Sequence, residues 1–209
     1  MALGGKSKRR AAVPARRAER SRVLPIIGGT WRGRKLRFPA TAAIRPTPDR
    51  VRETLFNWLG ARVQGAECLD VFAGSGALGL EALSRGAARV TFIERDAEAA
   101  RALGLLLQDW GATDAQVVRA DAVRYLAGAA RPADIVFLDP PFAAGLLGEA
   151  AALLEEHRWL KAGALIYVEC AAREGLPGLP ASWQPLKAKQ AGEVGYHLFA
   201  HVAPDLHAA

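Results

Sequence analysis

The chain has 209 residues, with 28 Lys+Arg against 21 Asp+Glu for a formal net charge of +7, and 51% of its residues are apolar. That apolar share excludes wholesale disorder, and a chain of this length can bury most of its apolar surface in one catalytic-sized domain with some decoration. No stretch approaches the roughly 18 apolar residues that cross a bilayer, and the N-terminal residues carry charges where a secretory signal needs an apolar run, so a soluble, cytoplasmic protein is expected. Cys68 and Cys170 stand far apart with no CxxC pair or Cys/His cluster. They are expected to be reduced core residues, with no disulfide and no metal site.

The charge lies in blocks. Residues 1–22 carry a balance of +7, residues 23–62 +6 and residues 63–209 −6. The excess positive charge therefore sits in the first third, as an electrostatic footprint for a polyanion. Residues 1–22 are basic, Ala-rich and without hydrophobic periodicity, which predicts a disordered arm. An organellar transit peptide has a similar composition, but the next segment is basic too and would not be cleaved off. The division expected is an arm over 1–22, a basic ribbon-plus-helix segment over 23–62 and a catalytic domain over 63–209.

In chain order, Ile26 to Leu36 alternates short apolar pieces with glycines and bases, as a small ribbon of strand and turn does. Arg45-Pro46-Thr47-Pro48-Asp49 reads as a helix start, with Thr47 as N-cap, Pro48 in the first helical position and Asp49 in the first turn. The helix is predicted to run to about Leu59, with Val51, Leu55, Trp58 and Leu59 on its apolar face and Arg50, Arg52, Glu53 and Asn57 on the rest. From Glu67 on, strands predicted at 68–72, 90–94, 115–118, 134–138 and 164–168 alternate with helices at 78–85, 97–110 and 146–157 and a short turn at 122–126. A hairpin closes the chain at 184–190 and 194–202. Such alternation calls for an α/β, doubly wound, mostly parallel seven-stranded sheet of Rossmann-like type with an antiparallel C-terminal hairpin.

Gly74-Ser75-Gly76-Ala77-Leu78-Gly79 follows the first long strand with G-x-G-x-x-G spacing, where glycine permits a tight turn and close approach to a ligand. The pattern is weak alone, but two acids sharpen it. Glu94 ends the next strand 18 residues after Gly76, where Rossmann-type sites hold ribose hydroxyls. Asp70 beside the loop repels a pyrophosphate and suits a cation, which favours S-adenosyl-L-methionine over NAD. Asp121, past the third strand, can accept from an adenine amino group or cap a helix.

Asp139-Pro140-Pro141-Phe142 follows the strand 134–138, at the carboxyl edge that borders the crevice in open α/β sheets. An exocyclic amino group on a base is a poor nucleophile because its lone pair is delocalised into the ring. The Asp139 carboxylate and the Pro140 carbonyl can grip its two N–H groups and localise that pair, with φ fixed by the prolines. Phe142 offers a face on which an extruded base can stack.

The runs IIGGTWRGRKL, RPTPDRVRETLFNWL, LDVFAGSGALGLEALSRGA, DIVFLDPPF and ALIYVE, in this order, resemble the RsmD-type methyltransferases of small-subunit ribosomal RNA, over about residues 23–203. The resemblance implies a class I S-adenosylmethionine-dependent fold and methylation of the N2 amino group of one guanine of 16S rRNA, the guanine966-type site, in the small ribosomal subunit. It implies that Asp70, Ala73, Gly74, Gly76 and Glu94 hold the methionine and ribose ends of the cofactor, Asp121 and Ala122 its adenine, and Asp139, Pro140 and Phe142 the target base. Arg32, Arg34, Lys35, Arg45, Arg50 and Arg52 would face RNA phosphates, with Arg45 and Arg52 reaching the site itself. Pro25 departs from the Arg usual in the family, which puts one phosphate contact in doubt, and Asp121 stands where some members have Asn. Two other readings stay open: an enzyme methylating adenine N6 in DNA, since LDPPF also resembles that class, and a non-catalytic RNA-binding assembly factor. An NAD-dependent oxidoreductase explains Asp70, the Asp-Pro-Pro-Phe turn and the basic third least well. One base-modifying site gives no reason to require more than a monomer.

Overall fold

The computed structural model describes residues 21–39, 47–142 and 145–202. Residues 1–20 of the arm expected over 1–22, and Arg45, lie outside the described residues.

The central sheet follows from the alternation of apolar runs and amphipathic helices. Strands β1 (Ser21–Pro25) and β2 (Lys35–Pro39) form a separate antiparallel hairpin. Helix α1 (Asp49–Leu59) leads into β3 (Glu67–Asp70), α2 (Ala77–Ser84), β4 (Arg89–Glu94), α3 (Ala97–Asp109) and β5 (Ala115–Arg119). Then come α4 (Ala122–Leu126), β6 (Ala133–Leu138), α5 (Leu146–Glu156), β7 (Leu160–Ala171), β8 (Trp183–Ala191) and β9 (Val194–His201). The seven-stranded sheet has the order β5-β4-β3-β6-β7-β9-β8, parallel except for β9, which runs antiparallel to both β7 and β8. The order reverses beside β3, between β4 and β6, and that switch point opens a crevice at the carboxyl ends of the strands.

Side-chain alternation divides the core. Ile135 and Phe137 of β6 and Leu165 and Tyr167 of β7 pack with α1, α2 and α3 on one face. Val136, Leu138, Ile166 and Val168 pack with α4 and α5 on the other. Among the described residues no helix is long and apolar enough to cross a membrane.

The N-terminal segment departs from expectation in several ways. The strands of the hairpin flank the glycine-rich run instead of lying within it, and β1 starts at Ser21, inside the stretch expected to be arm. The turn between them docks on the C-terminal end of α2, where the Thr30 N–H donates to the Ser84 carbonyl at 2.7 Å. The N-cap of α1 is Pro48, so Thr47 caps nothing with its side chain. Arg52, expected on the exposed face, is fully buried, and Phe56 joins Val51, Leu55 and Leu59 in the core while Trp58 is half-buried. Arg52 donates to the Pro25 carbonyl (2.9 Å), Asp49 (2.7 Å) and Glu81 (3.4 Å). It therefore cannot face phosphates or reach the cavity, because a charge this deep is held by partners that replace its water.

Glu81 of α2 is the matching anion. Its carboxylate accepts from the backbone N–H groups of Ile27 (2.9 Å) and Gly28 (2.7 Å), and from Arg85 (2.9 Å) as well as Arg52. Removing one partner of such a pair leaves a buried charge uncompensated, at about 3–5 kcal/mol. Glu81→Ala is expected to lower the unfolding free energy by that amount in urea titration, and a loss under about 1 kcal/mol would contradict the assignment.

Candidate active site

The crevice is a cavity of about 870 Å³ at the carboxyl ends of β3, β4, β5 and β6. Of the residues singled out in the sequence, Asp70, Ala73, Gly74, Glu94, Asp121, Ala122, Asp139, Pro140 and Phe142 all line it. Gly76 is not among the lining residues. It is the left-handed residue (φ 77°) that starts α2, where a Cβ would meet Leu103 at 2.6 Å, so its need for glycine comes from the turn and the packing.

The loop is held by the acids around it. Glu94 accepts from the Gly74 N–H (2.7 Å) with one oxygen and from the Asp96 N–H (2.6 Å) with the other, and remains partly exposed with lone pairs to spare. Asp121 caps α4 by accepting from the Arg124 N–H at 3.2 Å. Asp70 is 3% exposed and accepts from the Gly79 N–H at 3.1 Å in the first turn of α2. Burial pushes its carboxyl up to about 7, against the Gly79 hydrogen bond and with the help of the Glu94 charge.

Asp139 follows β6 at the cavity floor and is half-buried. Burial holds its carboxyl well above the carboxylate range, and the charges of Glu169 and Asp70 push the same way. Thr47 opposes them, donating its hydroxyl to Asp139 Oδ2 at 3.4 Å. Thr47, read from sequence as a helix cap, is thus a lining residue of the site. Glu169, read only as the end of a matching run, is 3% exposed and accepts from the Tyr167 hydroxyl at 2.8 Å. Burial raises its carboxyl, and the Tyr167 and Thr47 hydroxyls lower it. A lone acid in an apolar strand is the available signal, since a carboxylate is almost never fully buried unless it is paired.

The arrangement suits a cationic ligand with a diol and a flat ring. Asp70 is a buried acid with no cation beside it among the described residues and is only partly ionised near neutral pH, and a bound ammonium group would supply the missing counter-charge. The carboxylate of Glu94 can accept from hydroxyls, and Ile93, Ala122 and Val123 give the far end of the cavity an apolar wall. S-adenosylmethionine fits these donors and acceptors. Among the described residues no cluster of potential metal ligands occurs.

The basic residues lie elsewhere. Arg32, Arg34, Lys35 and Arg50 are exposed. Arg50 sits in the first turn of α1, near Thr47 and the cavity. Arg32 and Arg34 belong to the turn docked on the far end of α2, where the Arg34 guanidinium lies 5.4 Å from the Trp110 ring centroid. They are at the opposite end of the sheet from Asp139.

The family model described as "Conserved hypothetical protein 95" matches residues 24–200. The sequence is 53% identical over 180 residues to ribosomal RNA small subunit methyltransferase D of Escherichia coli strain K12, covering 86% of this chain and 91% of the relative. It is 47% identical to the protein of the same name from Haemophilus influenzae, over 83% and 92% of the two chains. Among solved structures, yhhF from Escherichia coli superposes with a TM-score of 0.81 at 50% identity, covering 87% of this chain and 99% of that one. The Thermus thermophilus 16S rRNA N2 G1207 methyltransferase in complex with AdoMet and guanosine superposes with a TM-score of 0.63 at 25% identity, over 93% of this chain and 53% of that one.

The raised Asp70 carboxyl makes stability depend on pH. Below about pH 4 the residue is protonated in folded and unfolded chains alike; between about 4 and 7 only the folded chain keeps the proton, so stability falls as pH rises, by on the order of 4 kcal/mol. Asp70→Asn is expected to flatten this part of the ligand-free melting-temperature profile while weakening cofactor binding. An unchanged slope would contradict the raised carboxyl.

Proposed function

The chain belongs to the RsmD-type family of small-subunit ribosomal RNA methyltransferases, and from that premise we propose that it methylates the N2 amino group of one guanine of 16S rRNA, at the guanine966-type position, within the small ribosomal subunit. It is an S-adenosylmethionine-dependent methyltransferase with a Rossmann-like fold. The observation that carries the acceptor reading is the Asp139-Pro140-Pro141-Phe142 turn opening into the same cavity as Asp70 and Glu94.

The cofactor supplies a methyl group on a cationic sulfonium. Asp70 takes its α-amino group, the Ala73–Gly74 turn its methionine end, Glu94 its ribose hydroxyls, and Asp121 with Ala122 its adenine. Gly76 acts through the shape of the turn. Asp139 and the Pro140 carbonyl accept the two N–H groups of the guanine amino group and hold the nitrogen lone pair toward the methyl. Phe142 stacks on the extruded base. Arg32, Arg34, Lys35 and Arg50 hold phosphates, so the RNA follows the β1–β2 hairpin from one end of the sheet to the other. The chain acts as a monomer in the cytoplasm.

Incubation with labelled S-adenosylmethionine and unmethylated small subunits is expected to yield N2-methylguanosine on nucleoside analysis. Asp139→Ala is expected to lower methyl transfer by roughly 10³-fold or more with cofactor binding largely retained. Label in DNA adenine instead of RNA would overturn the acceptor assignment, and wild-type turnover of Asp139→Ala would remove that residue's role. Replacing Arg32, Arg34 and Lys35 together by Ala is expected to reduce the salt dependence of RNA affinity by about 2–3 in log–log slope. An unchanged slope would place the RNA face elsewhere.

A further inference from the structure

Glu169 has no part in the reading above, yet the sheet sets it beside Asp139. Leu138 of β6 pairs with Val168 of β7, so the two acids follow at one level on adjacent strands. Phe137 and Tyr167 both enter the core under α1, and strand alternation turns Asp139 and Glu169 toward that same face. Thr47, just ahead of α1, donates to Asp139 Oδ2 at 3.4 Å and interacts with Glu169 as well. A threonine hydroxyl donates one proton and accepts others, so it can pass a proton between two carboxylates. The remaining groups around the pair are Asp70 from β3, Tyr167 and Cys170 from β7, and Tyr196 from β9, opposite Glu169 in the ladder. His197 lies behind Cys170, 3.8 Å from its sulfur. The hydrogen bonds described for the pair come from hydroxyls, those of Thr47 and Tyr167.

We propose that Asp139 and Glu169, joined through Thr47, act as one proton-sharing pair that releases its proton when a cationic methyl donor enters and takes up the proton that the guanine nitrogen sheds on methylation. The second half rests on the guanine-N2 reading. Two carboxylates at one level on adjacent strands, Glu169 buried and Asp139 half-buried, do not both ionise readily without a positive charge nearby. With the sulfonium present both are ionised, Asp139 free to grip the amino group and Glu169 steadied by Tyr167. As the new N–C bond forms and the S–C bond breaks, the electron pair of the broken bond stays on sulfur and the nitrogen carries the positive charge. Asp139 takes the proton that relieves it, and Thr47 passes that proton to Glu169. The site ends with the single shared proton it held before the donor entered. Glu169 and Thr47 are positioning residues that work through Asp139.

Calorimetry of the full chain in buffers of different ionisation enthalpy tests this without turnover. S-adenosylmethionine and S-adenosylhomocysteine share the α-amino group that Asp70 would meet, and differ in the charge on sulfur. Near neutral pH the methyl donor is expected to release more protons than the demethylated product, by up to about one per site, and Glu169→Gln is expected to remove at least half of the excess. Equal release by the two ligands overturns the proposal, and so does an undiminished excess in Glu169→Gln. Thr47→Val is expected to lower kcat several-fold and shift its pH profile with KM for the subunit unchanged, Thr47→Ser restoring both; a wild-type pH profile in Thr47→Val overturns the relay. The two failures are separable. Unmethylated guanine N2 with the proton excess intact overturns the acceptor reading, whereas methylated guanine with no excess overturns the pair.

Discussion

The Glu81 carboxylate is fully buried between Arg52 and Arg85 and also receives the backbone N–H groups of Ile27 and Gly28. The four donors come from three pieces of chain: Ile27 and Gly28 from the turn after β1, Arg52 from helix α1 and Arg85 from the end of α2. One anion therefore fixes the N-terminal segment to the sheet in a single register. The glycines of the turn are required by the closeness of that contact. A Cβ on Gly28 would enter the Arg85 guanidinium, and one on Gly29 (φ 75°) would enter the Ser84 carbonyl. Through Arg52 the same anion orients α1, and the start of α1 carries Thr47 onto Asp139. The placement of Thr47 against Asp139 at one end of the sheet thus depends on an ion cluster under the helix beside it.

The distribution of charge acquires a meaning from this architecture. The net +7 conceals a first third that is strongly basic and a remainder of balance −6, and the cavity gathers Asp70, Glu94, Asp96, Asp121 and Asp139 from that remainder. An acidic cavity repels a phosphate backbone and draws in a cation. On the proposed reading the phosphates stay on the hairpin and on Arg50 while a single base enters the crevice. Because Arg32 and Arg34 sit at the far end of the sheet from Asp139, the substrate that satisfies both spans the length of the domain. A structured RNA does so; a short single strand reaching only the crevice leaves the hairpin unused.

Local pattern made the frame legible and long-range pairing hid the rest. The strand predicted at 134–138 is observed as Ala133–Leu138 because it is an apolar run between Pro132 and Pro140, and the helix predicted at 146–157 is observed as Leu146–Glu156 because its apolar residues recur at helical spacing after Gly145. The cavity residues were legible because their roles follow from position at strand ends. Arg52 was not. Its neighbours in sequence describe an exposed helix face, and its anion lies 29 residues away. Thr47 before Pro48 has the composition of a cap, yet its partner is 92 residues on. Glu169 occupies a strand whose apolar run carries no sign of its neighbour, since only the β6–β7 register brings it beside Asp139.

The fold buries carboxylates in two ways, and the difference separates support from chemistry. Glu81 is surrounded by cations and backbone donors that satisfy its oxygens, and such an acid holds structure. Asp139 and Glu169 receive hydroxyls. An arginine in place of Thr47 would keep Asp139 charged, but it would occupy the oxygens that the amino group needs and would repel a sulfonium in the same cavity. Hydroxyl partners leave lone pairs free and permit either protonation state. The cost is a site whose acids resist ionisation until a positive charge arrives, so the cavity is electrostatically incomplete without its ligand. On the proposed reading, that incompleteness would favour a cationic methyl donor over the neutral product, and would favour release of the product once the charge has left the sulfur.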